Sequence, residues 1–363
     1  MFDRGPDVAA FEVRNYDTVQ SYIKEHNISC EWRGAFSCRS FNTPDSTKAA
    51  FAEVEILKKN DPTLGAKIQT EADATKIKEK YHVVEPEDCG VTVTQGAASL
   101  WPYKYVAFIL EKLVRSGQLN LQTKTPVNSL EALPNGGARL HTDRGSIEAR
   151  TVILATNAYT SHLLPSFADL IVPVRGSMSA LLPPESLKER LPGSYGFVAA
   201  LGQSVNHDDY LVQRPYKDEP NLTGHLMFGG GSGKMDLERI GASDDSIIDK
   251  GSAAYLRSAL LTLMDLGLGS EDLTELKATH EWTGIMGYSR DEHPWVGAVP
   301  DLPGVWLAAG YTGKLTNSFF LSLRQLHVIF FYASSRTDRA NETNKKNFRP
   351  WNAEWNAVRQ GCG

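Results

Sequence analysis

Apolar residues recur at helical spacing from Val8 to Asn27. Phe11, Tyr16, Val19 and Ile23 fall close to one face and charges fill the other, which predicts an amphipathic helix. Ser46–Asn60 predicts a second helix, with Asp45 or Ser46 as cap and Phe51, Val54, Ile56 and Leu57 as its apolar set. Glu71–Lys80 predicts a third. Tyr103–Arg115 is the strongest: Val106, Ile109, Leu110, Leu113 and Val114 make a broad apolar face, and Gly117 stands where such a helix ends. Alternation or short apolar runs predict strands at Ser29–Phe41, Gly90–Thr94, Leu119–Val127, Arg139–Thr142 and Ser146–Ala149. Asn135-Gly-Gly137 and Asp143-Arg-Gly145 supply turns between the later ones, and Gly96–Pro102 reads as a turn-rich loop. Thr151–Ala155 is a buried-type strand running straight into Thr156-Asn157.

Beyond Leu170 the pattern changes. Ile171–Val174, Gly196–Ala200, Tyr210–Gln213 and Leu226–Phe228 alternate with polar loops, and one helix, Ile247–Leu266, interrupts them. This predicts an antiparallel sheet with one helix, distinct from the preceding strands. Gly304–Ala309 is a short apolar strand ending in glycine, a sign of a buried strand opening onto a backbone-lined site. After Ser318–Leu326, compatible with a helix, the apolar Val328–Tyr332 gives way to a polar, basic run that reads as disordered.

Composition narrows the classes. The chain has 363 residues, 41% apolar and 22% charged, and a net charge of −5, which fits a globular protein and gives no reason to expect nucleic acid as a partner. Nine histidines and four cysteines show neither CxxC nor HExxH spacing, which argues against a zinc site, and no metal is expected. Few, irregularly spaced cysteines suit reduced thiols and a cytoplasmic location. No apolar run is long enough to span a membrane, and the N-terminus has no signal-peptide pattern. The oligomeric state is not legible.

The chemical information is concentrated in Glu281–Leu315. Gly284-Ile-Met-Gly287 and Gly310-Tyr-Thr-Gly313 bracket the apolar strand, with Asp291-Glu-His-Pro-Trp-Val-Gly297 between them. Glycines there let the main chain approach a flat or charged ligand. The ordered set Trp282/Gly284, Asp291/Pro294/Gly297 and Gly310-Tyr311-Thr312-Gly313 resembles the C-terminal part of the D-amino-acid-oxidase-like family of FAD-dependent oxidoreductases. Gly96–Pro102, Thr125–Val127 and Thr151–Tyr159 resemble that family's middle region in the same order. The resemblance covers Val8 to Gly313.

It implies a mixed α/β (α+β) chain: a remnant of a two-domain flavoprotein with an incomplete Rossmann-type FAD domain and an antiparallel-sheet substrate domain. The implied division is 1–95, helices and first strands of the substrate domain; 96–165, the remaining part of the FAD domain; 166–285, the antiparallel substrate domain; 286–325, the C-terminal part of the FAD domain; and 326–363, a divergent tail. By the same resemblance, Val127, Ala155, Thr156 and the turn Gly310, Tyr311, Thr312, Gly313 lie against FAD. Lys314 either adds positive charge near the flavin or is a solvated loop lysine. Gly284–Gly287 lines the substrate side. Met286 stands where D-amino-acid oxidases carry an arginine that clamps the substrate carboxylate, which favours an amine or a larger substrate over a free α-amino acid. Tyr210 or Arg214 either touches substrate or occupies an ordinary sheet position. Arg290 is an anion contact or a local partner of Asp291. No cysteine lies between Gly284 and Arg290, so a bound flavin is expected to be non-covalent. No obligatory catalytic base can be named, because the flavin carries the chemistry and the protein orients the C–H bond and excludes water.

The family's phosphate cradle, G-x-G-x-x-G after a first strand, is not in the chain: Gly229-Gly-Gly-Ser-Gly233 and Gly267-Leu-Gly269 have the wrong spacing. The sequence therefore reads as beginning after the first βαβ unit, with Thr151–Ala155 or Val305–Ala309 left as a sheet edge. Three missing charge-assisted bonds at roughly 1.5–3 kcal/mol each correspond to about 3 to 6 orders of magnitude in affinity, so weak FAD binding is expected. The expected activity is oxidation of a C–N bond in an amine or amino-acid-like small molecule by hydride transfer to FAD. The alternative is a truncated, flavin-free remnant, inactive or acting as a binding module. An NAD-dependent dehydrogenase is disfavoured by the missing fingerprint.

Overall fold

Caps and pairing partners decide where the predicted elements begin. The computed structural model describes residues 5–198, 208–216, 224–231, 237–268, 273–291 and 293–311. Helix α1, Gly5–Glu25, packs Val19, Tyr22 and Ile23 against Ile28, Cys30 and the Tyr105 face of α5, Pro102–Arg115. Helix α2, Pro44–Asn60, is capped by Thr43 and not by Asp45 or Ser46. Pro44 favours the first helical position, which moves the cap upstream, and the Thr43 hydroxyl accepts the Ser46 N–H at 3.3 Å. The short α3, Pro62–Gly65, leads to β2, Ile68–Glu71. Helix α4, Ala74–Tyr81, starts later than its periodicity suggests, because Asp73 caps it through the Thr75 and Lys76 N–H groups at 3.0 and 3.2 Å.

The loop expected at Gly96–Pro102 is largely strand: β3 spans Gly90–Ser99 and pairs antiparallel with β1, Arg33–Phe41. Gly96 sits at φ +83 beside the register shift between Ala35 and Ser37, so its flexibility serves a bulge within the pair. No strand covers 119–126. Strand β4, Val127–Ala132, begins there instead and pairs with β5, Ala138–Thr142, which pairs with β6, Gly145–Ala149. This small sheet is exposed on much of its surface, and a strand with little buried face leaves a weak period in sequence.

Strand β7, Val152–Leu154, runs into a 3-10 turn at Asn157–Tyr159 and the short α6, Thr160–Leu163. There follow β8, Ile171–Leu181; β9, Ser194–Val198; β10, Asp208–Gln213; β11, Leu226–Gly230; α7, Lys250–Leu263; β12, Ala278–Ser289; β13, Trp295–Ala298; and β14, Val305–Ala309. Helix α7 is capped by Asp249, which accepts the Ser252 N–H at 2.6 Å, and begins at Lys250, three residues later than its apolar pattern suggests.

The main sheet has eight strands in the order β12-β8-β11-β10-β9-β1-β3-β2. Every pair within β8–β12 is antiparallel, as expected for that span, and the parallel β1–β9 pair joins it to β1, β3 and β2. β1, β2 and β3 thus join β8–β12 in one sheet although more than seventy residues separate β3 from β8. Strand β12 stays in this sheet to Ser289, so a boundary at 285 falls inside a strand. A second sheet, β13-β14-β7, places β14 centrally, with β7 parallel to it. Of the two strands expected as an edge, β7 is the one that has a single neighbour among the described residues.

The principal core lies on one face of the large sheet. Leu181, Tyr195, Leu211, Leu226 and Phe228 point from the strands towards Ile77 and Tyr81 of α4 and Leu256 and Leu260 of α7. A second core, with Val152, Leu154, Val305 and Leu307, holds the small sheet together.

Candidate active site

Cross-strand partners in a sheet project to the same side, and the register of the large sheet gathers an unusual set on the face away from α7. Trp282 lies opposite Met178, Gly284 opposite Gly176, and Met286 opposite Val174. Met178 also faces Gly229, which faces Tyr210, which faces Gly196. Two methionines lie across two glycines. A Cβ on Gly176 would sit 2.6 Å from Met286 Cε, and a Cβ on Gly229 would collide with Met178 Sδ and stand 2.6 Å from the Tyr210 hydroxyl. Tyr210 donates to Met178 Sδ at 3.0 Å. A Cβ on Gly284, by contrast, would meet nothing within 4 Å. The result is a floor of thioether, aromatic ring and bare backbone. Arg175, the nearest basic residue of β8, lies one position out of phase and donates from Nε to the Asp244 carbonyl at 2.8 Å.

The strand that carries Gly284 and Met286 also meets a junction of three segments at Gly287, one position out of phase with the floor. Gly287 approaches the 3-10 turn so closely that a Cβ there would be 2.8 Å from Ala158 N and 2.9 Å from Asn157 Oδ1. Asn157, itself left-handed at φ 43, accepts the Gly310 and Tyr311 N–H groups on Oδ1, both at 3.0 Å. Gly310 has φ +75, open to glycine at little cost. Thr160 Oγ1 donates to the Asn157 carbonyl at 2.8 Å and lies 2.9 Å from Thr156 Oγ1.

The structure distributes the residues singled out in the sequence as follows. Met286 and Tyr210 share the floor. Ala155, buried, and Thr156 end β7 at the junction, and Gly310 and Tyr311 complete it. Thr312, Gly313 and Lys314 lie outside the described residues. Val127 is not part of this assembly of strands; it opens β4 and pairs with Thr142 in the separate three-stranded sheet. Arg214 lies past the end of β10, where its Nη2 meets Glu31 Oε1 at 3.1 Å and its guanidinium stacks 4.3 Å from the Trp101 ring centroid. Lys104 makes the same two contacts, at 3.1 Å to Glu31 and 4.6 Å over Trp101. Arg214 is therefore tied into an ion network joining β10 to α5 and is not presented on the floor. Arg290 is exposed after β12. Its neighbour Asp291 is occupied by the His293 N–H at 3.2 Å and Trp295 Nε1 at 2.9 Å, so the expected local pair with Arg290 is replaced by a turn cap.

Three participants escaped the sequence reading. Met178 and Gly176 belong to the floor only through register. Asn157 carried one signal, its place straight after a buried strand, where Asn tolerates positive φ. Among the described residues no group of three or more His, Cys, Asp or Glu is disposed to hold a metal, and no helix is long and apolar enough to cross a membrane.

The floor fits one side of a flat ring system: the backbone is bare at Gly284 and flanked by polarizable side chains. The complete G-x-G-x-x-G fingerprint for a pyrophosphate does not occur in the 363 residues.

Residues 2–320 match the profile of a family described as FAD dependent oxidoreductase. The chain is 27% identical over 220 residues to a probable oxidoreductase OrdL of Rhizobium meliloti, covering 60% of the chain and 44% of that protein. It is 22% identical over 315 residues to the probable oxidoreductase OrdL of Haemophilus influenzae, covering 86% of the chain and 64% of the relative. The chain thus spans less than two thirds of the length of either relative. Among solved structures, the glycine oxidase from Geobacillus kaustophilus superposes with a TM-score of 0.64 at 17% identity, over 88% of this chain and 75% of that one. At that identity the likeness concerns the fold.

Proposed function

The chain belongs to the family of FAD dependent oxidoreductases, and from that premise we propose that it oxidises a C–N bond in an amine, or in an amino-acid derivative with a substantial apolar part. Bound FAD supplies the acceptor for the hydride removed from the carbon next to nitrogen. The residues of the chain position the substrate. Met178, Met286 and Tyr210 take its apolar portion, and the bare backbone at Gly284 leaves room for the reacting carbon to lie against the ring. Burial between these surfaces excludes water from the carbon as the C–H bond breaks. With no basic side chain at the floor positions, a free carboxylate has no bidentate partner there, which sets this reading apart from a simple α-amino-acid oxidase.

The observation that carries the proposal is the methionine-on-glycine floor, on the same strand β12 that reaches the Gly287–Asn157–Gly310 junction. Glycine oxidation by a protein of the same fold supports C–N chemistry as the reaction class. FAD is held non-covalently in this reading: Cys30, Cys38 and Cys89 are buried, and none lies in the floor or junction strands. Binding by this chain is weak, because the usual pyrophosphate donors are not among its residues.

The test is the visible spectrum of the purified chain after FAD is added and excess removed, followed by a screen of amines against amino acids. Partial flavin occupancy with turnover of apolar amines is the expected result. Tight stoichiometric flavin would overturn weak binding, and faster turnover of small α-amino acids would overturn the substrate class. A colourless, inactive chain would favour the flavin-free alternative.

A further inference from the structure

We propose that Asn157 is the positioning residue of the site: its side-chain amide fixes the Gly310–Tyr311 turn against the end of β7 and the Gly287 bend of β12. The flavin-directed part of this inference rests on the function proposed above; the clamp itself does not.

Three segments distant in sequence meet at one atom. Oδ1 of Asn157 accepts two consecutive backbone N–H groups, from Gly310 and Tyr311, each at 3.0 Å. Two donors on one oxygen also settle the orientation of the amide, because a flipped side chain would set its NH2 group against both N–H groups. The backbone at Asn157 is left-handed, and Thr160 Oγ1 holds its carbonyl at 2.8 Å, so the side chain leaves the turn in a fixed direction. From the other side, Gly287 passes close enough that a Cβ would press on Asn157 Oδ1 at 2.9 Å and Ala158 N at 2.8 Å. Gly287 is thus a spatial requirement of the clamp. The amide replaces what would otherwise be two unpaired backbone donors at a strand end. It also ties the turn after β14 to the end of β7, beside the Gly287 segment of β12. A cofactor resting on that turn would be placed by Asn157 without a hydrogen bond between them.

The variants separate backbone from side chain. Asn157→Gly keeps the left-handed conformation at no steric cost and deletes the amide. Asn157→Asp keeps the acceptor. Gly287→Ala drives a methyl group into the clamp from β12. In the full chain, amide hydrogen exchange at Gly310 and Tyr311 and FAD affinity by fluorescence are measured alongside thermal midpoint. For Asn157→Gly, exchange at those two amides accelerates about tenfold or more and the FAD dissociation constant rises about tenfold, corresponding to two lost hydrogen bonds. Asn157→Asp restores both, and Gly287→Ala reproduces the loss. Unchanged exchange at Gly310 and Tyr311 in Asn157→Gly overturns the clamp. Accelerated exchange with unchanged FAD affinity overturns its bearing on the cofactor. Equal acceleration throughout the sheets would show a general structural role and also overturn the proposal. If the unaltered chain binds no FAD, the function proposed above fails, and the exchange measurements alone decide the clamp.

Discussion

Tyr210 and Leu211 are neighbours in β10, yet they serve opposite faces of the same sheet. Leu211 is fully buried among Phe228, Leu256 and Leu260, in the closely packed layer beneath α4 and α7. Tyr210 faces Gly229 and Met178, in a layer that also holds Gly176, Gly284 and Met286. Alternation of side chains in a strand makes this possible: one residue set stabilises the fold, and the interleaved set is free to shape a site. The packed face is filled with side chains of fixed shape. The open face uses bare backbone and flexible thioethers, which adapt to a ligand at the expense of tight packing.

The strongest way to sharpen that contrast is to damage the packed face alone. Phe228 is completely buried and meets Phe197 edge-to-face with ring centroids 6.3 Å apart. Phe228→Ala is expected to destabilise the chain by about 3–5 kcal/mol through lost burial and a residual cavity. Denaturant unfolding measures it. A loss under about 1 kcal/mol would mean that this face is not the stabilising one.

A titratable carboxyl lies beside the packed core. Glu85 lies close to Cys38 and Cys89, and burial pushes its carboxyl up to about 7, with a Ser40 hydroxyl nearby opposing the shift. Because the folded chain binds this proton more tightly than the unfolded chain does, stability is greatest below the unfolded value of about 4.5, declines as pH rises to about 7, and is then level for this group. The difference amounts to about 3 kcal/mol. Both neighbouring thiols are raised by burial and by Glu85 itself and stay neutral across that window. Glu85→Gln should remove the slope and make the variant more stable than the parent at pH 8. Thermal midpoints from pH 4.5 to 8 check this, and an unchanged slope would rule it out.

On the open face the two glycines make a matched pair. Gly229→Ala places a methyl group against Met178 and Tyr210 and is expected to cost about 1–3 kcal/mol by overpacking. Gly284→Ala points into space and should leave stability within about 0.5 kcal/mol, while occupying the surface to which the proposed reaction assigns the reacting carbon, so its effect is expected in turnover. Equal stability losses at both sites would erase the distinction between the covered and the bare part of the floor.

Much of the packed face was legible because burial imposes a period. The apolar stripes of α1, α2, α5 and α7 and the runs at β7, β10 and β14 all emerge from spacing alone. Boundaries moved where a cap outweighed a stripe, as at Thr43, Asp73 and Asp249. The exposed β4 left little period to read. The open face was only half legible. Motif order pointed to Met286, Ala155, Gly310 and Tyr311, but Met178 and Gly176 join them through the pairing of β8 with β12, a register that no local pattern encodes. Arg214 illustrates the reverse: a basic residue at a strand end reads as a substrate contact or an ordinary sheet position until its partner Glu31, far away in sequence, is in place.

A small expected stability change at Met286 is the most specific for function. Met286→Leu keeps nearly the same volume over Gly176 and exchanges a flexible thioether for a branched alkyl group. Swaps of that kind cost under about 1.5 kcal/mol, so the thermal midpoint should shift little. If the floor holds the apolar part of the substrate equally in the ground and transition states, KM for bulky amines should rise while kcat stays level. KM for small amines, which reach less of the floor, should barely move. A size-dependent KM therefore assigns Met286 to substrate selection. A fall in kcat alike for large and small amines would instead place Met286 against the cofactor ring, and the floor would then support the cofactor and leave specificity to other residues.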